Sequence, residues 1–199
     1  MQGTRGDLSR RAGILFMVGS VCFGLGSLPP YFSNLPARVV GVTFFVGSIL
    51  FTSAGLTQLQ QVREDPGDRR VRWATVIQLV GMLLFNINTF RAAFVSVPSD
   101  EVNELIWAPD FFGSVAFLLA SHLAWLAVCD RLWCVRRERA GWWIAALNYL
   151  GSIFFMLSAI AAYTLPTTGQ VLNIAFVNGG TFVGAVGFFL GGYLLLPAR

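Results

Sequence analysis

Long apolar runs alternate with short polar stretches along the whole chain. The longest stretches without Asp, Glu, Lys or Arg are residues 12–37, 39–62, 111–129 and 140–198. A helix that crosses a bilayer needs about 20 consecutive apolar residues, so the last stretch is long enough for two crossings. Together with its turn-forming residues, the chain predicts six membrane-spanning helices, at 12–31, 38–60, 73–96, 110–133, 142–165 and 171–196.

Composition supports the same fold class. Only 12% of the residues are charged and 55% are hydrophobic, whereas a soluble domain carries about 25% charged residues. We therefore predict an all-α, polytopic membrane helix bundle that forms a single integral membrane domain over residues 1–199, with the lipid bilayer as its partner. The net charge of +4 comes from arginines near the membrane surfaces, and it does not indicate nucleic-acid binding.

The arginines indicate how the helices are oriented in the membrane. They cluster in the N-terminal tail and in the second and fourth connections, at positions 5, 10, 11, 63, 69, 70, 72, 136, 137 and 139. The third connection contains Asp100, Glu101 and Glu104 but no basic residue, and the fifth is uncharged. Because loops rich in Lys and Arg stay on the cytoplasmic side, we expect a bacterial inner-membrane protein with both termini in the cytoplasm.

The third connection also predicts local structure. Ser99 can cap a helical turn, and Val102, Leu105 and Ile106 would then form one apolar stripe. We expect a short helix that lies on the outer leaflet. A lid over a ligand is the alternative.

One heptapeptide pattern occurs once in each predicted span. The copies are MVGSVCF (17–23), FVGSILF (45–51), LVGMLLF (79–85), FFGSVAF (111–117), YLGSIFF (149–155) and FVGAVGF (182–188). A Gly lets a neighbouring helix approach the backbone closely, and the Phe four residues later leans back over that notch. A solute path lined by glycine is the alternative to helix packing. The predicted packing positions are Gly19, Gly47, Gly81, Gly113, Gly151 and Gly184.

The order of the copies indicates an internal repeat. A three-span unit at 12–97 that recurs at 110–197 would be inverted, because three is odd, and inverted repeats of this kind build many transporters. A two-span hairpin present three times fits the same pattern. The sixth span has further glycines at positions 180, 187 and 191, and it is the span through which we expect a homo-oligomer to form.

The repeated Gly-Ser-x-x-Phe segments resemble those of the YrhK-like family of small bacterial membrane proteins. In that family a similar run occurs in each of two paired hydrophobic segments. The resemblance covers the paired spans at 12–60 and 142–196 best. It implies a membrane protein, and it brings with it no established activity and no catalytic residues.

Polar side chains inside the predicted spans are candidates for function, because they are costly in hydrocarbon. His122 is the only histidine and lies near the middle of the fourth span. It can relay protons or bind a ligand, or it can be a neutral ring hydrogen-bonded to another helix. Asn86, Asn88 and Arg91 lie in the third span, and we expect Asn86 to meet His122. Arg91 either pairs with Asp110 or extends to the interface.

No enzyme or cofactor signature is present in the sequence. The chain contains no phosphate-binding loop, dinucleotide fingerprint or metalloprotease motif, and no second histidine supports a metal site. Cys22, Cys129 and Cys134 are interpreted as small buried apolar residues. The five-residue spacing of the last two is off a shared helix face, and disulfides are uncommon in the cytoplasm.

Two hypotheses for the function remain. The first is a non-enzymatic structural or accessory component of the inner membrane. The second is a small-solute or ion transporter or channel built from inverted repeats. Its polar site would be formed by His122, Asn86, Asn88 and Arg91. The hypotheses differ in whether these four side chains line one water-accessible cavity.

Overall fold

Turn-forming residues end each long helix close to where the sequence predicts a connection. The computed structural model describes residues 2–65 and 67–196, so residue 197, the end of the predicted second repeat half, lies outside the described part. The helices are α1 (Gln2–Ser27), α2 (Pro29–Asn34), α3 (Ala37–Glu64), α4 (Arg69–Phe94), α5 (Ala108–Cys129), α6 (Ala140–Ala161) and α7 (Ile174–Leu194). All but the six-residue α2 are long and apolar enough to cross a membrane, which confirms the six-helix membrane fold.

Local chemistry explains several of these boundaries. Pro29 and Pro30 occupy the first turn of α2, where a missing backbone N–H is harmless, and α1 therefore ends earlier than predicted. Asp68 caps α4 by accepting a 2.7 Å hydrogen bond from a backbone N–H. Asn173 caps α7 in the same way, with a 3.1 Å bond from the N–H of Phe176.

The six long helices form a closed ring. Each packs on the next one along the chain, and α7 packs back on α1. The ring consists of three antiparallel hairpins: the first hairpin is α1 with α3, the second is α4 with α5, and the third is α6 with α7.

The motif glycines pair within each hairpin, and all six are buried. The facing pairs are Gly19 with Gly47, Gly81 with Gly113, and Gly151 with Gly184. A methyl group on Gly81 would lie 2.9 Å from the carbonyl oxygen of Gly113, and one on Gly113 would lie 3.2 Å from that of Gly81. Such a close approach of two backbones requires residues without a side chain. The glycine contacts pair the spans two by two, and the unit of the internal repeat stays a prediction.

The six motif phenylalanines meet at the centre of the bundle in two layers, each with one ring from every hairpin. Ring layer 1 contains Phe23, Phe85 and Phe155, and ring layer 2 contains Phe51, Phe117 and Phe188. In ring layer 2 the ring centroids lie 5.4–6.5 Å apart, and the side chains are only 0–2% exposed. Aromatic pairs at this separation contribute about 0.5–1.5 kcal/mol each beyond their burial.

Each ring also fills the notch of a motif glycine. Phe51 lies against Gly19, and Phe23 lies against Gly47, so the two helices of the hairpin exchange rings. The second and third hairpins repeat this arrangement. We expected each ring to lean over the glycine of its own helix. The structure corrects this, because the antiparallel partner brings its own ring to the notch.

Hydroxyl groups connect one hairpin to the next. Ser48 Oγ lies 2.9 Å from Thr89 Oγ1 between α3 and α4. Ser121 Oγ lies 2.8 Å from Ser152 Oγ between α5 and α6. Hydrogen bonds between membrane helices are worth about 0.6–2 kcal/mol each, so these pairs hold the hairpins in a defined register.

The glycine-rich face of α7 is filled within the chain. A methyl group on Gly187 would lie 2.8 Å from the carbonyl oxygen of Leu147 in α6, and one on Gly192 would lie 3.0 Å from that of Gly13 in α1. A homo-oligomer formed through this face would have to open the ring. Homo-oligomerisation stays a prediction.

The third connection differs from the expected surface helix. Asn103–Trp107 form a π-helical turn that runs directly into α5, and the apolar segment extends without a break from Asn103 to Cys129. Asn103 exchanges two hydrogen bonds with the backbone of Thr164, at 2.7 and 2.9 Å, and Trp107 Nε1 donates to the carbonyl of Ala159 at 2.8 Å. A separate helix on the outer leaflet is therefore wrong, because these side chains fasten the turn to the bundle.

The chain turns sharply after α5. Asp130 has a φ of 55°, a left-handed conformation that ends the helix, and Arg70 Nη2 contacts its carboxylate at 2.7 Å. The reversal brings Cys134 back to Cys129, and the two form a disulfide. The interpretation of both as unpaired residues is wrong, because helical spacing does not apply beyond Asp130. Cys22 has a free thiol.

Candidate functional site

A cavity of about 290 Å³ lies at one end of the bundle. This end, here called the Arg-poor end, carries the connections at 28–36, 95–107 and 162–173. Ring layer 1 forms the floor of the cavity, and Ile106 and Trp107 of the π-helical turn, with the preceding Val102, also line it. At about 30 Å³ for each water molecule, the space corresponds to about ten waters.

Asp110 and Asn88 form the polar centre of the cavity wall. Asn88 lies near the end of α4 and Asp110 near the start of the antiparallel α5, so the two positions meet, and Asn88 Nδ2 donates to Asp110 Oδ1 at 2.9 Å. Both side chains line the cavity and are partly buried. Within the described residues, Asp110 has no ion-pair partner and is the only charged residue of the cavity lining. Since a carboxylate can accept about four hydrogen bonds, most of this capacity is open to a ligand.

Hydroxyl groups from the third hairpin form a second polar patch in the cavity lining. Ser158 Oγ and Thr181 Oγ1 lie 2.7 and 2.8 Å from the carbonyl oxygen of Val177 and 2.8 Å from each other. Both hydroxyls give their protons to partners within the protein, so the lone pairs that remain can accept a hydrogen bond from a ligand. The cavity therefore offers mainly acceptors.

The structure places only one of the four predicted residues, Asn88, in this cavity. Asn86 faces α3, where its Nδ2 donates to Thr52 Oγ1 at 2.9 Å. The Oδ1 atom of Asn86 is buried and has no partner among the described residues. Arg91 Nη1 donates to the carbonyl of Leu105 at 2.8 Å, so it supports the π-helical turn.

His122 lies on a different side of the second hairpin from Asn86. Its Nδ1 is 3.1 Å from Tyr149 Oη on α6, and it is not part of the cavity lining. The expected contact of His122 with Asn86 is therefore wrong, because one side chain faces α6 and the other faces α3. The pairing of Arg91 with Asp110 is not formed either, since Asn88 holds the carboxylate.

Sequence reasoning missed most of the cavity. It treated Asp110 only as a partner for Arg91 and did not single out Ser158 or Thr181. The available signal for Asp110 was its position directly before a long charge-free run. Ser158 and Thr181 carried no signal, because a hydroxyl in a membrane helix can always bond a carbonyl of its own helix.

At the opposite, Arg-rich end of the bundle, charged side chains hold two helices together. Arg70 contacts the carboxylates of Asp68 and Asp130 at 2.8 and 2.7 Å, and its Nη1 donates to the carbonyl of Leu126 at 2.7 Å. The hydrogen bonds from Arg70 hold the pKa of Asp68 below its ordinary value. This cluster ties the start of α4 to the end of α5.

Comparison with known proteins gives no relative from which the role of the site could be transferred. No family model, curated protein or solved structure matches this chain. Within residues 2–65 and 67–196, no three His, Cys, Asp or Glu side chains are grouped so that they could hold a metal ion.

Proposed function

We propose that this chain is a non-enzymatic, multi-pass protein of the bacterial inner membrane that binds a small molecule in the cavity at its Arg-poor end. The observation that carries the proposal is the Asp110–Asn88 pair inside a cavity of about 290 Å³. Ionisable side chains in membrane segments are costly, so they commonly mark functional sites. Here the carboxylate has room beside it for a ligand.

The packing below the cavity favours binding over conduction. Phe117, Phe188 and Phe51 of ring layer 2 are 0%, 1% and 2% exposed, and Met82 beside them is 0% exposed. A solute that enters the cavity would meet two layers of aromatic rings. Passage through the bundle would require all three hairpins to separate at their centre.

The accessibility of the cavity tests the binding function. In a variant without native cysteines, Ala162→Cys places a thiol in the cavity lining, and Ala185→Cys places one at a buried position of α7 that is 2% exposed. We expect the neutral reagent 2-hydroxyethyl methanethiosulfonate to modify residue 162 in the purified protein and to leave residue 185 unmodified. A residue 162 that stays unmodified would contradict an open cavity.

Flux measurements separate binding from transport. Proteoliposomes that contain the protein are loaded with a radiolabelled trimethylammonium alcohol, a permanent cation that the lipid bilayer retains. We expect release at the rate of protein-free vesicles, because the ring layers close the path. If release is faster than from protein-free vesicles, and Asp110→Asn abolishes the excess, the protein is a transporter and the proposal of binding alone is wrong.

The proposed orientation places the cavity on the outer side of the membrane. It is supported by the arginines at the opposite end, since basic loops stay in the cytoplasm. The Cys129–Cys134 disulfide at that same end argues for the reverse orientation, because the cytoplasm keeps most thiols reduced. In the variant without native cysteines, Glu101→Cys should react with a membrane-impermeant maleimide on spheroplasts, and Asp65→Cys should react only after lysis. The reverse pattern would overturn the orientation and place the cavity in the cytoplasm.

A further inference from the structure

Among the described residues that line the cavity, Asp110 is the one ionisable side chain, and no basic side chain lies beside it in the lining. Asp110 is held by the neutral amide of Asn88 at 2.9 Å. The nearest arginine along α4, Arg91, gives a hydrogen bond to the carbonyl of Leu105 and is not part of the cavity lining. A positively charged ligand group would therefore be attracted to Asp110, and an anion would be repelled.

Several aromatic side chains contribute to the lining. Phe23, Phe44, Phe85, Phe155 and Trp107 all contribute to it. Faces of aromatic rings attract organic cations within about 6 Å of the ring centroid, and the attraction grows when the cation is desolvated. The rings offer no oxygen ligands, and within the described residues no three His, Cys, Asp or Glu side chains are grouped to replace the hydration shell of a metal ion.

The volume of the cavity and its hydrogen-bond acceptors restrict the size and the polar groups of the ligand. A volume of about 290 Å³ holds about ten water molecules. It therefore admits an organic molecule of roughly ten heavy atoms. The hydroxyls of Ser158 and Thr181 can accept a hydrogen bond from a polar group at the far end of such a molecule.

We propose that the cavity binds a small organic ammonium ion, with the cationic nitrogen at Asp110 and among the phenylalanine rings, and this rests on the proposed binding function. Neutral molecules of the same shape bind more weakly, because they gain neither the ion pair nor the attraction to the rings.

Modification rates test the charge preference. The thiol of Ala162→Cys is treated in parallel with 2-(trimethylammonium)ethyl methanethiosulfonate and with the neutral 2-hydroxyethyl reagent. The control is Thr168→Cys, an exposed position in the same connection. We expect the cation-to-neutral rate ratio at residue 162 to exceed that at residue 168 by about tenfold. In Asp110→Asn the cation-to-neutral rate ratio at residue 162 should fall to the value at residue 168. In Asp110→Glu the ratio at residue 162 should stay higher.

Equilibrium binding tests the same inference without a covalent reagent. Choline and 3,3-dimethylbutan-1-ol have nearly the same shape and differ in charge, so calorimetry on the protein in nanodiscs isolates the charge. We expect choline to bind at least about tenfold more tightly, and Asp110→Asn to remove the difference while the binding of the alcohol persists. Persistent alcohol binding also shows that the variant is folded.

The possible results distinguish the two proposals. If the neutral reagent reacts at residue 162 and the alcohol binds as tightly as choline, the ammonium inference is overturned and the binding function stands. A choline affinity that Asp110→Asn does not change overturns the inference as well. If neither reagent reacts and neither molecule binds, both proposals are overturned.

Discussion

Replacing Gly187 by Ala should loosen the third hairpin, although the change adds only one methyl group. That methyl would meet the carbonyl oxygen of Leu147 at 2.8 Å and the Cα and N atoms of Gly151 at 3.0 and 3.2 Å. All three neighbours are backbone atoms, so no side chain can rotate away. The only relief is a separation of α6 from α7.

The size of the effect follows from these distances. Ordinary van der Waals contact begins at 3.4 Å, so the helices would have to move apart by about 0.6 Å at this point. Overpacking of this kind costs about 1–3 kcal/mol. The higher helix propensity of Ala returns about 1 kcal/mol, and the same gain applies at any helical glycine.

Gly179→Ala is the matched control. Gly179 lies in the same helix, is exposed, and has no atom within 4 Å of an added methyl group. The free energy of unfolding should therefore be about 1–3 kcal/mol lower for Gly187→Ala than for Gly179→Ala. Gly169 would be a poor control, because its φ of 66° strains any residue with a side chain.

Unfolding in mixed micelles by titration with sodium dodecyl sulfate, followed by tryptophan fluorescence, measures this difference. Both variants are compared with the unchanged protein in the same detergent. If Gly187→Ala is as stable as Gly179→Ala, backbone contact between α6 and α7 does not limit the packing of this hairpin. The account of the motif glycines would then fail.

Two further predictions concern the Arg-rich end. Because Arg70 holds the pKa of Asp68 below its ordinary value of 3.8, the ion pair stabilises the protein above that pH and is lost as the pH falls through the lowered pKa. The stability difference between the unchanged protein and Asp68→Asn should therefore shrink below about pH 4, and a constant difference would contradict the pairing. Trypsin cleaves after Arg131, and mass spectrometry of the purified, non-reduced protein should find the peptides with Cys129 and Cys134 joined. Separate peptides before reduction would contradict the disulfide.

The sequence predicted the features that depend on the order of residues along a single helix. Charge-free runs of helix length fixed the number and the approximate positions of the spans, since the membrane imposes a minimum length on any apolar helix. The missing side chains of the six motif glycines predicted that each span packs closely on another helix, although the sequence did not show which helix. These features follow from composition along a single helix.

The cavity depends on how neighbouring helices are rotated, and this could not be predicted. Asn86 and Asn88 are two residues apart and point about 200° apart around α4, so one faces α3 and the other faces α5. Depth alone could not decide which of them meets Asp110. The disulfide was missed for a related reason, because the left-handed Asp130 changes the direction of the chain between its two cysteines.

The junction between the first and second hairpins combines ring packing, close backbone contact and a hydroxyl pair, since Phe45 packs on Phe90 and a methyl group on Gly41 would lie 3.0 Å from the Cα of Ala93. The rings of Phe51 and Phe117 span it at 6.5 Å, the longest centroid separation among the central rings, while Ser48 Oγ and Thr89 Oγ1 lie 2.9 Å apart beside them. A hydrogen bond can exchange its partner for water without leaving a void, whereas separated rings leave a gap that must be filled. Each hairpin also contributes a ring that packs on rings of both other hairpins, namely Phe51, Phe117 and Phe155. Moving any one hairpin would therefore break ring contacts with both of the others, so the cavity keeps its aromatic floor only while all three hairpins stay together.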